Sequence, residues 1–142
     1  DRIYEAPKNV YVADFIGDVN ILEGRAKQHG NQICIKWGEG VSDIIAMSNE
    51  PFKNEDLVHF AIRPEKVSIT SERPVDTPNA FQGKVLDIAY LGNMSTYHIK
   101  METGLTIKAQ STNTRRLSNR PINWGDNIWI SFTSTAGILF KG

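Results

Sequence analysis

Three histidines, one cysteine and scattered carboxylates are the side chains of this chain best suited to chemistry, and their spacing argues against most of it. His29, His59 and His98 are far apart, and Cys34 has no second cysteine to work with. Neither arrangement has the close ligand spacing of a zinc site, and an internal disulfide is excluded. Cys34 sits between Ile33 and Ile35, which reads as a buried, inert thiol rather than a nucleophile. A hydrolytic triad needs Ser or Cys, His and an acid held together. The strand-like surroundings of His59 instead suit an outward-facing or hydrogen-bonded polar residue. No Gly-x-x-x-x-Gly-Lys-Ser/Thr loop occurs, so nothing here cradles nucleotide phosphates. These residues predict no enzyme in this chain, no cofactor and no metal.

Binding is the remaining option, and four groups of residues offer it. Arg63-Pro64-Glu65 puts opposite charges beside a rigid proline. It reads either as a docking contact for another domain or subunit, or as a local salt bridge shaping a turn. Tyr90-Leu91-Gly92-Asn93 could line a ligand pocket through Tyr90 and Gly92. Alternatively it caps a strand, with Tyr90 in the core and Gly92 at positive φ. Of the three tryptophans, Trp129 on an apolar strand reads as core, Trp37 is unassigned between core and interface, and Trp124 beside Gly125-Asp126 reads as an interface residue. Lys108, Arg115, Arg116 and Arg120 form a basic stretch with no acid between Glu102 and Asp126. Single-stranded nucleic acid needs stacking aromatics among such charges. None occurs between Tyr97 and Trp124, so the stretch reads as an exposed loop.

The elements that must position these groups follow from pattern. The chain has 142 residues, of which 40% are hydrophobic, and zero formal net charge. That length supports one or two small domains with a real core. The charge balance gives no global field for nucleic acid or an anionic membrane. Apolar runs are short and interrupted, which predicts no transmembrane helix and, with no basic-then-apolar leader, a cytoplasmic protein.

Residues 1–17 read as a short connecting helix, with Asn9 as a cap, Tyr11 and Phe15 four apart, and Gly17 at its C-terminal end. The chain opens on Asp1 rather than Met, and the helix reads as the exit from a domain that is missing. From 18 to 142 the patterning is strand-like, with strands expected at 20–27, 32–37, 41–47, 57–62, 66–70, 81–90, 95–101, 105–109, 128–132 and 138–140. Ser71–Asn79, with Pro74 and Pro78, is the best linker. It divides two similar halves, roughly 18–72 and 80–142. Asn54-Glu55-Asp56-Leu57-Val58-His59-Phe60 aligns with Gly125-Asp126-Asn127-Ile128-Trp129-Ile130-Ser131 as an acidic turn leading into an apolar strand. The expected fold is all-β: OB-like barrels of short antiparallel strands, duplicated, behind a connecting helix.

Three segments carry a family resemblance, and they occur in the family's order: Val12-Ala13-Asp14-Phe15-Ile16-Gly17 with Asn20; Ile62-Arg63-Pro64-Glu65; and Gly83-Lys84-Val85 through Tyr90-Leu91-Gly92. Together they cover nearly the whole chain. It resembles the C-terminal regulatory domain, of the transport-associated OB (TOBE) type, of ABC-transporter ATP-binding subunits, closest to the spermidine/putrescine importers. The resemblance implies a regulatory and dimerisation role, with ATP and Mg handled by the missing nucleotide-binding domain. It implies as partners a second copy of the subunit, that nucleotide-binding domain and the membrane subunits, at the inner face of the cell membrane. Phe15, Gly17 and Asn20 would then set domain orientation, with Arg63, Glu65 and Trp124 at inter-domain or inter-subunit contacts. The runner-up is a ligand sensor that throttles transport, taking a small oxyanion or the solute itself. For a polyamine the nearest acidic cluster is Glu50, Glu55 and Asp56 with Phe52. A single-stranded nucleic-acid module is the third reading.

Overall fold

The computed structural model describes residues 18–48, 52–112 and 122–141. The helix expected over 1–17 therefore lies outside the described residues, and so do Phe15 and Gly17. Strands dominate the described residues, joined by turns and one 3-10 turn at Pro64–Lys66. In order they are β1 (Asn20–His29), β2 (Gln32–Lys36), β3 (Ile44–Met47), β4 (Leu57–Ile62) and β5 (Ser68–Thr70). Then come β6 (Asn79–Leu91), β7 (Met94–Met101), β8 (Thr106–Thr112), β9 (Asn127–Phe132) and β10 (Ile138–Lys141). Alternation explains them. In β1, Asn20, Leu22, Gly24 and Ala26 are buried while Glu23 and Arg25 are exposed, as a period of two with one core face requires.

The chain forms two compact units. One takes the chain through Arg63 and resumes at Thr133; the other runs Pro64–Phe132. The first holds a five-stranded antiparallel sheet in the order β10-β4-β1-β2-β3, around a core that includes Leu22, Ile33, Ile35, Ile44, Val58, Phe60 and Ile62. The second sheet has the order β5-β9-β6-β7-β8, with Phe81, Val85, Ile99, Ile107, Ile128 and Ile130 buried. Removing each such side chain from water is worth about 1.5–3 kcal/mol. This is an all-β, OB-like architecture.

The two orders are the same, so β6, β7, β8, β9 and β5 stand where β1, β2, β3, β4 and β10 do. The fifth strands are exchanged. β5 follows β4 in the chain but pairs with β9, and β10 follows β9 but pairs with β4. The stretch 71–79 connects β5 to β6 inside the second unit. Register fixes the duplication residue by residue. Asn20 and Asn79 both pair with the last residue of the fourth strand, Ile62 and Phe132, and Gly24 and Gly83 pair with Val58 and Ile128.

Both glycines are needed for close approach. A Cβ on Gly24 would lie 2.5 Å from the Lys36 carbonyl oxygen, and one on Gly83 would lie 2.5 Å from Ile99 Cγ2. The turns before the fourth strands match too. Asp56 Oδ2 accepts from Lys53 N and Asp126 Oδ2 from Asn123 N, each at 2.9 Å. Glu55 N donates to Ala26 O, and Gly125 N to Val85 O. Glu55 is thus the equivalent of Gly125, not of Asp126 as the sequence alignment placed it; the true offset is one residue shorter.

Candidate functional site

Of the residues expected at inter-domain contacts, Asn20 opens β1, is buried, and pairs with Ile62, which brings it beside the start of the Arg63-Pro64-Glu65 segment. Pro64 is buried in the 3-10 turn, whereas Arg63 and Glu65 are both exposed. Neither forms an ion pair among the described residues, so the local salt bridge that would shape this turn is absent there.

The structure unites two residues that the sequence placed in separate roles. Tyr90 and Trp124 meet edge to face, with ring centroids 6.5 Å apart at 76°. Both are largely exposed, at 59% and 56%, and Leu86 and Leu91 are exposed on the same strand as Tyr90. Tyr90 is therefore not a core residue.

The cause is a β-bulge between Val85 and Asp87, which inserts Leu86 and re-aims the strand beyond it. Asp87, singled out by nothing in the sequence pattern, faces Trp124 as a result. Its Oδ1 accepts from Trp124 Nε1 at 3.0 Å and from Ile88 N at 2.9 Å. The indole N–H, then the Ile88 amide, hold the Asp87 carboxyl below its ordinary range. Gly92 lies in the β6–β7 turn at φ +65° with open space around it. A cavity of about 350 Å³ opens elsewhere on this unit, lined in part by Gln82, Lys84, Lys100 and Asn127.

The remaining candidates are used internally or fall outside. Glu50, Arg115, Arg116 and Arg120 lie outside the described residues. Asp56 already holds Lys53 N and lies 3.9 Å from Lys141 Nζ. Phe52 is buried, with Lys141 Nζ 5.8 Å from its ring centroid. That leaves little free carboxylate for an outside cation at Asp56.

Trp129 is not core. It alternates with buried Ile128 and Ile130 and is covered by Arg73, whose Cζ lies 5.2 Å from its ring. Trp37 is half-buried and donates Nε1 to Ser42 O at 2.9 Å. His59 is buried, stacked on Phe140 at 5.6 Å, and its Nδ1 has no hydrogen-bond partner among the described residues. It is neither outward-facing nor fully satisfied. Cys34 is half-buried, and burial pushes its thiol up. No group of three or more metal-ligating side chains occurs among the described residues. No helix among them is long and apolar enough to cross a membrane.

This arrangement offers surfaces: an exposed aromatic pair anchored by a carboxylate, an exposed charged segment, and a groove lined by Lys84, Lys100 and Glu102. Comparison with known proteins gives them a setting. Residues 60–140 match the family model described as TOBE domain. The chain is 35% identical over 135 residues to the putrescine transport ATP-binding protein PotG of Escherichia coli (strain K12), covering 90% of this chain and 34% of that protein. It is 33% identical over 143 residues to the spermidine/putrescine import ATP-binding protein PotA of Protochlamydia amoebophila (strain UWE25), covering 99% of this chain and 38% of that one. The chain thus spans little more than a third of these relatives. Among solved structures it resembles the cytoplasmic molybdate-binding protein ModG with a TM-score of 0.71, at 12% identity, covering 87% of this chain and 96% of the other. At that identity the likeness concerns the fold.

Proposed function

The chain belongs to the TOBE domain family, and from that premise we propose that it is the regulatory domain of the ATP-binding subunit of an ABC importer for polyamines. One observation carries this reading. Almost the whole chain aligns with one portion of proteins named for putrescine and spermidine import, leaving the rest of their length for ATP binding and hydrolysis. The sequence has no phosphate-binding loop of its own, which fits a non-catalytic domain.

On this reading ATP and Mg are bound by a nucleotide-binding domain of the same protein, and the membrane subunits hold the assembly at the inner face of the membrane. Two regulatory domains contact each other across a twofold axis, an isologous arrangement that needs one self-complementary surface. The exposed Tyr90–Trp124 pair suits such a contact, because large aromatics near apolar neighbours dominate interface energetics. Arg63 and Glu65 supply charges at a domain boundary, while Phe15, Gly17 and Asn20 set the orientation of the nucleotide-binding domain. The test is deletion of this chain from the native subunit. ATP hydrolysis should persist while putrescine uptake loses its coupling to it. Loss of hydrolysis itself would make the chain part of the catalytic body.

A further inference from the structure

Among the described arginines, Arg63 alone has no partner. Arg25 donates Nη1 to the Glu55 carbonyl at 3.3 Å, and Arg73 lies over the Trp129 ring. Arg63 is exposed and makes no hydrogen bond, ion pair or ring contact with any described residue. Its charge is not needed to shape the turn. The duplication places a connection of equal length after each fourth strand, 63–67 and 133–137. The second reads Thr133-Ser134-Thr135 where the first reads Arg63-Pro64-Glu65. Pro64 is buried and biases the residue before it towards extended backbone, so Arg63 is presented from a restricted position.

The Asp87–Trp124–Tyr90 corner is its chemical complement. Asp87 Oδ1 accepts both bonds described above, from Trp124 Nε1 and Ile88 N, and Oδ2 accepts none among the described residues. His98 faces Asp87 across β6 and β7, and Lys108 faces His98 from β8, but neither forms an ion pair with Asp87. Trp124 and Tyr90 stand beside this carboxylate with more than half of each side chain exposed. A guanidinium suits such a corner, because its N–H fork meets the carboxylate while its face lies on an aromatic ring. The first unit has no such corner. Asn54 occupies the place of Trp124 there, and its Oδ1 accepts from Gln28 N.

We propose that Arg63 of one copy of this chain enters the Asp87–Trp124 corner of a second copy, whose own Arg63 enters the first in return. This rests on the twofold contact proposed above and names the residues that hold it. Across a twofold axis, if one residue meets another, the reciprocal contact exists as well. A chain with one unpaired arginine and one such corner satisfies that rule with both in use. The guanidinium donates to Asp87 Oδ2 and stacks on the Trp124 indole. The Oδ1 bond already holds that indole in place, so little side-chain freedom is lost on association. Asp87 is thus a specificity residue: one oxygen orients the ring, and the other takes the incoming charge. Leu86 and Leu91, exposed on the same strand, offer apolar surface to the arginine stem.

The test is sedimentation of the 142-residue chain from micromolar to millimolar concentration, with the charge reversals Arg63→Glu and Asp87→Arg. Each reversal spoils both copies of the contact. Each should therefore weaken dimerisation about a hundredfold, roughly tenfold for every charge-assisted bond lost. Mixing the two variants in equal amounts should restore a dimer, since the heterodimer has the reversed pair in one contact and the original pair in the other. Recovery in the mixture also shows that neither variant fails merely by unfolding. A wild type that stays monomeric, a variant that dimerises like wild type, or a mixture that does not recover overturns the proposal. Deletion of the chain from the native subunit reports separately on the regulatory reading. Lost coupling there with a monomeric chain here strikes this contact alone. A rescued heterodimer from a chain whose deletion abolishes hydrolysis strikes that reading alone.

Discussion

Glu55 is the position where the duplication makes its sharpest energetic prediction. Its φ is 73°, in the left-handed region, and the equivalent Gly125 has φ 83°. A side chain there costs about 1–2 kcal/mol, because Cβ crowds the following carbonyl. Glycine avoids that cost but loses about 0.5–1 kcal/mol of extra chain entropy on folding. Glu55→Gly should therefore stabilise the protein by about 0.5–1 kcal/mol, or roughly 2–4 °C in melting temperature at this chain length.

Little else is lost by the change. The Glu55 side chain is exposed, and the bonds at this residue are made by its backbone: N to Ala26 O at 2.7 Å, and O from Arg25 Nη1. The reverse change, Gly125→Glu, should cost about 0.5–1 kcal/mol by the same balance. Urea unfolding of both variants measures the two values. A destabilised Glu55→Gly, or a neutral Gly125→Glu, would refute the equivalence of the two turns.

Three further outcomes rest on the same geometry. Gly24→Ala should cost about 2–3 kcal/mol, because its Cβ meets a backbone oxygen; Gly83→Ala should cost about 1–2 kcal/mol, since part of its obstacle is the flexible Met101 side chain. Chemical denaturation checks the order. Trp124→Phe removes the bond that lowers the Asp87 carboxyl, so the NMR-detected titration midpoint of Asp87 should rise. A depressed carboxylate adds stability above its unfolded pKa and loses it as pH falls through the folded value. The stability gap between wild type and Trp124→Phe should therefore narrow below the usual carboxylate range. Phe140→Ala, which empties a buried site on β10, should cost about 3 kcal/mol or more. Hydrogen exchange should then speed up in β4, which pairs with β10, before it does in β9, which β10 follows in the chain.

Much of the strand layout was legible because apolar residues alternate in short runs between turn residues, as in Tyr97, Ile99 and Met101 or Leu105, Ile107 and Ala109. Pairing partners were not, since alternation says which face a residue takes and nothing about which strand lies beside it. The exchange of β5 and β10 lives entirely in that second kind of information. The alignment of the two turns slipped by one because Glu55 occupies a conformation that normally betrays itself as glycine. Trp129 could have been placed on the outer face, since Ile128 and Ile130 flank it. Tyr90 and Asp87 could not. Their directions depend on a bulge at Leu86, which a period-two reading carries straight through. The site residues of the opening segment rest on the family resemblance.

Whether this chain is one domain of a transport ATPase subunit, as proposed, is decided by the intact mass of the native protein together with the coding sequence upstream of Asp1. The expected mass is well above that of this chain, with a phosphate-binding loop encoded upstream. A native mass equal to that of this chain would contradict it.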